Sequence, residues 1–357
     1  MRARDAVWAA ITLVILAAWV FLAARFSQTA WDFTMFYVAA HTPLHSLHDQ
    51  AVFQSVARSA LAGTGVKYAS PYVRPAVFAL ALQWMRGLSY WTAFRIWAAF
   101  QFVFYCATLG LLARRFHAPV VGFYPWAVFF PAFFGIVTGQ DAVGVTLVLC
   151  AALAFLCDGR QTIAGALFSL TLYKFNLFLL LPIYLAIQKQ YRALAAYAAC
   201  GAVFAAASAL LEPPSKYLAL LPNIQLYTIG FSPKTMLGLR GLSNTLGAGA
   251  AYPFAAVLLA AYMLIRSRRM ELARGLGLIV IACLLCAYHG TWYDGAALAL
   301  PFALALAKGA PGLKLAAACL MTLPLWNAIP ALVSALLLGF AFYYAADSSW
   351  IASKSEA

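Results

Sequence analysis

Apolar runs of membrane-crossing length recur along the whole chain, and they fix its surroundings before any motif does. At about 20 residues per crossing, such runs fall at 7–26, 91–113, 119–137, 141–157, 193–211, 250–265, 272–288, 294–307, 314–323 and 331–345, several of them short. With 65% hydrophobic and 10% charged residues and a mean hydropathy of +0.85, the chain is expected to be an all-α polytopic membrane protein. No small-x-small cleavage site follows the first run, and Arg2 and Arg4 precede it, so it is expected to stay as an anchor with its start inside. The net charge of +14 then belongs to inner loops facing anionic headgroups and gives no reason to expect nucleic acid. All seven cysteines lie in apolar runs, which favours buried thiols over disulfides. Cys283 and Cys286 form a CxxC, but without a nearby His or charge in that helix.

Two stretches admit two readings. Either 74–88 crosses and 161–187 is one long helix, or 74–88 is re-entrant or interfacial and 161–187 is a hairpin turning at Lys174. Both give about twelve crossings with both termini inside. The second is preferred, because it puts Arg114, Arg115 and Asp158–Arg160 inside, and Gly139-Gln140-Asp141 and Lys174 on the side of Asp32. Its cost is leaving Arg74, Arg86 and Arg95 outside. Lys189–Arg192, Arg266–Arg269, Lys308 and Lys314 also fall inside, which places 27–73, 139–141, 212–249 and 288–294 on one outer face. No repeat or soluble domain interrupts the chain, so 1–357 is expected to form one membrane domain with outer loops at 27–73 and 212–249.

Only ten acids stand against 24 basic residues, so each acid near the membrane calls for an explanation. Asp32, in Trp31-Asp32-Phe33, follows the first apolar run, where water can take its proton while acyl chains lie alongside. The rest of the first loop, with Lys67, Arg74 and a pattern of short surface helices, is long enough to form a lid. His41, His45 and His48 share a face if helical, as metal ligands do. Pro43 interrupts them, an interfacial polar face is the plainer reading, and no metal or other cofactor is assigned. The second loop offers Glu212, Lys216, Lys234 and Arg240 among prolines and glycines with Tyr217, Tyr227 and Phe231. That set suits an anionic headgroup or phosphate, or else is solvated loop charge. The third group is Tyr288-His289-Gly290-Thr291-Trp292-Tyr293-Asp294. His289, Tyr293 and Asp294 there can meet a sugar hydroxyl, orient a base or hold a phosphate; alternatively Asp294 caps the next helix.

Four stretches together resemble glycosyltransferase family 87 of the GT-C superfamily. They are Asp32-Phe33-x-x-Phe36-Tyr37-x-Ala39-Ala40; Tyr72-Val73-Arg74-Pro75 to Leu80; Gly139-Gln140 opening a span, followed by Asp158-Gly159-Arg160, Ala164-Gly165 and Lys174; and Tyr288-His289 to Tyr293-Asp294. They span most of the chain, and their order is what carries the resemblance. Arg74 stands where the family usually shows a proline, and no proline follows Lys174 closely, so an extra cation facing the site bears on donor identity.

The resemblance implies a GT-C-type bundle of about twelve membrane helices with interfacial helices in the first outer loop. It also implies a bacterial inner-membrane enzyme whose site faces the periplasm. Such an enzyme moves a mannose- or arabinofuranose-class sugar from a polyprenyl-phosphate donor to a lipid or glycan acceptor hydroxyl, with inversion. The donor's anomeric carbon is already activated, so a base for the acceptor and cations for the departing phosphate suffice. Asp32 is then the expected base, although it can also be an ion-pair partner of a nearby cation. Arg74, Lys174, Lys234, Arg240 and His289 compete for the phosphate, with Gln140, Tyr293 and Asp294 as further substrate-binding residues. Two rival classes stay open: a lipid-linked-sugar transporter or flippase, whose paired half-repeats are not seen here, and a lipid-carrier-dependent glycan polymerase or ligase.

Overall fold

A computed structural model describes Ala10, Ala17 and residues 32–347, apart from 67–69, 121–123, 221–231, 233, 235, 324–325 and 327–328. The expectations for the run at 7–26 and for Trp31, Lys67, Tyr227 and Phe231 lie outside the described residues. Among the described residues the chain forms fifteen α-helices and no strand. They are α1 (Phe33–His41), α2 (Gln50–Ala60), α3 (Tyr90–Phe116), α4 (Phe130–Thr138), α5 (Ala142–Cys157), α6 (Gln161–Ser169), α7 (Leu181–Ile187) and α8 (Tyr191–Leu211). They continue with α9 (Pro214–Leu220), α10 (Leu239–Thr245), α11 (Tyr252–Ser267), α12 (Leu272–Cys286), α13 (Ala299–Lys308), α14 (Pro311–Thr322) and α15 (Pro330–Ala346). Three helical stretches are long and apolar enough to cross a membrane: α3, α8 and Gly249–Ser267, which contains α11. Helices α5, α12, α14 and α15 are apolar but shorter.

Local sequence sets many of the boundaries. Ser89 accepts a hydrogen bond from the Thr92 amide and starts α3; Arg114 and Arg115 sit in its last turn, where cations favour the helix dipole. Proline in the first turn opens α4, α7, α11, α14 and α15, where its missing N–H costs nothing. Where α6 crosses α8 the backbones nearly touch. A Cβ on Gly165 would lie 2.1 Å from the Ala193 carbonyl oxygen.

Polar contacts separate the two ends of the bundle as the charge pattern predicts. At one end Arg115 pairs with Asp158, Lys308 with Glu271 at 3.4 Å, and the Gln188 amide donates to the Ser267 carbonyl at 2.8 Å. Asp32, Gln140, Asp141, Lys174 and Asp294 gather at the other. The stretch 161–187 turns back: α6 leaves the Asp158 end, the chain breaks from helical geometry at Lys174 (φ −118°, ψ 52°), and α7 returns. The Tyr184 hydroxyl then meets the Leu272 carbonyl at the start of α12. Residues 76–87 form a 3-10 helix with both ends on the Asp32 side. Arg74 pairs there with Asp141, and Arg86 donates to the Ala40 carbonyl at 2.6 Å. Apolar residues of this segment, Ala76, Ala79, Leu82 and Met85, pack into the core formed with α1 and α2.

Two apolar cores result. The larger one fills the bundle from α3 to α15. The smaller joins α1, α2, residues 76–87 and the start of α3 around Phe33, Phe36, Phe53, Met85 and Phe94, and forms a cap. Within the cap α2 is a surface helix, started by Asp49 and burying Phe53 and Ala57. The polar site lies where cap and bundle meet.

Candidate active site

A cavity of about 540 Å³ opens at that junction. Asp32, Arg74, Gln140, Lys174, His289, Tyr293 and Asp294 line its polar part. Leu177, Leu179, Leu180, Cys283 and Cys286 line an apolar flank, with Leu179 63% exposed. The two cysteines of the CxxC are therefore wall residues, and both are free thiols.

Asp32 stands at the N-terminus of α1 but makes no side-chain bond to its first turn. Packing aims it elsewhere: the Phe33 ring lies 5.4 Å from both Tyr90 and Phe94, Phe36 lies 5.1 Å from Trp97, and the Tyr37 hydroxyl donates to the Leu88 carbonyl at 2.8 Å. The half-buried Asp32 carboxylate bonds to Gln140. Loss of hydration pushes its pKa up to about 6, with the Gln140 bond and the Lys174 charge opposing the shift.

Gln140 is delivered by a tight link between α4 and α5. Gly139 closes α4 in the left-handed region (φ +78°), and a Cβ there would lie 2.4 Å from the Phe33 Cβ, so only glycine fits. The next residue, Asp141, caps α5 by position and joins a buried four-charge array. Its Oδ2 accepts from Arg74 Nε and Nη2 at 3.3 and 3.2 Å, and its Oδ1 lies 2.6 Å from Lys174 Nζ. Lys174 also donates to Asp294 Oδ1 at 2.8 Å. Asp294 Oδ2 accepts from the Thr291 amide and hydroxyl, both at 2.9 Å. Asp294 therefore closes a capping box and binds a cation at once. Two cations and two carboxylates cancel, as burial requires.

Arg74 and Lys174, two of the cations expected to compete for a phosphate, thus line the cavity already paired with carboxylates. Both are already engaged, because an unpaired charge so buried would be prohibitive. His289 differs from the expectation in another way. Burial, reinforced by the charges of Arg74, Arg240 and Lys174 and opposed by Asp294, lowers its pKa to about 4, so it offers a neutral imidazole near pH 7. Tyr293 lies under Lys174, with Nζ 5.6 Å from the ring centre.

The remaining predicted residues stand off the cavity. Arg240 does not line it: its guanidinium stacks 3.7 Å over the Tyr288 ring and donates to the Tyr288 carbonyl at 2.8 Å, bracing the loop that carries His289. Lys234 is exposed and also absent from the wall. The three histidines do not converge, and no group of metal-ligating residues occurs among the described residues. His48 is buried against Glu212, whose Oε1 accepts from the His48 amide at 3.0 Å while Oε2 pairs with Nδ1. The other ring nitrogen donates to the Arg74 carbonyl at 2.9 Å. Sequence reasoning left Asp141 without a role and did not foresee that His48 pairs with Glu212. The scarcity of acids was the signal that marked both carboxylates.

Fold and cavity thus define a polytopic helical membrane protein with a carboxylate-bearing site beside an apolar flank. Residues 72–287, more than half of the chain, match glycosyltransferase family 87, and the chain belongs to that family. It is a membrane glycosyltransferase. No curated protein and no solved structure matches it. The family match begins after Asp32 and ends just before Tyr288, so the roles of Asp32, His289 and Asp294 rest on geometry.

Proposed function

We propose that this protein moves a sugar of the mannose or arabinofuranose class from a polyprenyl-phosphate donor to a hydroxyl of a lipid or glycan acceptor, with inversion. The supporting observation is the shape of the cavity. A carboxylate with pKa near 6 faces a space whose other wall is apolar and includes the exposed Leu179. A polyprenyl chain fits along Leu177, Leu179 and Leu180 while its phosphate sugar enters the polar part.

In the proposed step the acceptor O–H bond breaks and its proton passes to Asp32. The acceptor oxygen then bonds to the anomeric carbon, and the anomeric C–O bond to phosphate breaks with its electron pair leaving on the polyprenyl phosphate. Lys174 has three N–H donors and uses two on Asp141 and Asp294; the third, with a neutral N–H of His289, meets the departing phosphate. Arg74 and Asp141 hold Lys174 in place. The family model and apolar helices support a membrane enzyme. About twelve crossings, a bacterial inner-membrane location and a periplasmic site complete the proposal.

The test is transfer by purified protein in lipid nanodiscs. Radiolabelled polyprenyl-phosphate mannose and polyprenyl-phosphate arabinofuranose are offered with a membrane extract as acceptor source. Transfer of one label by wild type and none by Asp32→Asn supports the reading, and no transfer of either label overturns it.

A further inference from the structure

Gln140 stands beside Asp32 with half of its amide committed and half not. Its backbone is held on every side: the Gln140 N–H donates to the Gly135 carbonyl at 2.7 Å, and the Gly139 carbonyl takes the Trp97 indole N–H at 2.8 Å. The side chain bonds to Asp32. An ionised carboxylate only accepts, so the amide nitrogen faces Asp32 and the oxygen Oε1 is left over. Gln140 is 2% exposed and lines the cavity, and Oε1 has no donor among the described residues. A buried acceptor without a protein donor takes its hydrogen bond from whatever occupies the cavity, and a ligand hydroxyl there can replace water.

We propose that Gln140 Oε1 receives a second hydroxyl of the acceptor, adjacent to the one that Asp32 deprotonates. The acceptor is then a vicinal diol such as a sugar ring, and not the lone alcohol of a lipid. This rests on the reading of Asp32 as the base. The attacking hydroxyl has a single proton, and that proton goes to Asp32, so the donor to Oε1 is a different group. Asp32 and Oε1 are the two ends of one hydrogen-bonded unit, and neighbouring ring hydroxyls are spaced to reach both. Neither Arg74 nor Lys174 donates to Oε1: their hydrogen bonds and ion pairs go to Asp141 and Asp294. Gln140 forms no covalent bond; it positions the base and selects the acceptor.

The test uses the full-length protein in nanodiscs with two kinds of acceptor of equal chain length. One kind is octyl glucoside, octyl mannoside and octyl galactoside, and the other is 1-octanol. The donor is whichever labelled polyprenyl-phosphate sugar wild type turns over. Wild type should prefer an octyl glycoside by roughly tenfold or more in kcat/KM, the scale of one good hydrogen bond. Gln140→Met, which keeps length but has neither donor nor acceptor, should lose that preference with donor KM unchanged. Gln140→Glu, which keeps an acceptor oxygen, should retain the preference and shift the pH profile, because a second carboxylate now faces Asp32. No preference in wild type, a preserved preference in Gln140→Met, or a loss confined to donor KM each overturns the proposal. A second arm needs no turnover: octyl glycoside binding is read from tryptophan fluorescence in both proteins. Binding roughly tenfold weaker in Gln140→Met supports the proposal, and equal binding overturns it. If neither protein transfers sugar, the proposed transfer reaction fails, while the binding arm still decides whether Gln140 Oε1 receives a sugar hydroxyl.

Discussion

At the scale of single residues, the site sorts its acids by environment. Asp141 and Asp294 are neutralised by Lys174 and, for Asp141, by Arg74; Asp32 alone faces the cavity with an amide for its partner. Asp32→Asn keeps size and shape but removes the basic lone pair. It should abolish transfer and spare expression and donor binding. Retention of more than about a tenth of wild-type turnover, well above what loss of a general base allows, would pass the role to Asp294. The raised pKa has a definite sign. A base must be ionised to act, so kcat/KM should fall as pH drops through about 6 and level off above it. A profile flat from pH 5 to 8 would show that some other group removes the proton. His289→Ala removes a neutral donor near the phosphate and should raise donor KM and lower kcat together.

At the scale of elements, the structure turns on places where the chain leaves helical geometry. The sequence offered two readings of 161–187. Lys174 decided between them, because a lysine so deep needs carboxylates, and only a turn at 174 brings it to Asp141 and Asp294. The apolar runs located most helices within a few residues, as with 91–113 against Tyr90–Phe116, because burial in lipid leaves helices little choice. The pairing of Arg74 and Lys174 was not legible. Charge pattern places a residue on a face, but which cation meets which acid depends on contacts between segments far apart in sequence, such as 74 with 141 and 174 with 294. The same element scale yields two checks. Gly165→Ala drives a methyl group into the Ala193 carbonyl and should lower the unfolding midpoint by the equivalent of about 1–3 kcal/mol, the usual cost of overpacking. A cysteine at Ser70, in the cavity wall, and one at Arg160, exposed at the other end, should react with an impermeant thiol reagent from opposite faces in a background without native cysteines. Labelling of both from one face would refute the two-faced arrangement.

At the scale of the whole molecule, cap and bundle are tied by a few buried polar contacts. His48 and Glu212 join the segment after α1 to the end of α8 across 164 residues, and the same histidine grips the Arg74 carbonyl. Glu212→Ala takes away the carboxylate from the buried His48 Nδ1 and should cost about 3–5 kcal/mol, as removal of one partner of a buried pair does. Its unfolding midpoint in nanodiscs should fall well below that of Lys216→Ala, which loses an exposed hydrogen bond to the His45 carbonyl at 3.0 Å and a contact 3.9 Å from Asp49. Equal midpoints would mean the cap is held mainly by its apolar core. The returning arm of the 161–187 hairpin carries a further consequence. Helix α7 has seven residues, about 10 Å of rise, against hydrocarbon about 30 Å thick. Alone it cannot span that thickness, and a short apolar element in a bilayer is relieved by local thinning, which is expected beside the exposed Leu179. Thinning there would let the proposed polyprenyl-phosphate donor lower its head into the protein while its tail stays in oil, with no extraction step between the membrane and the chemistry.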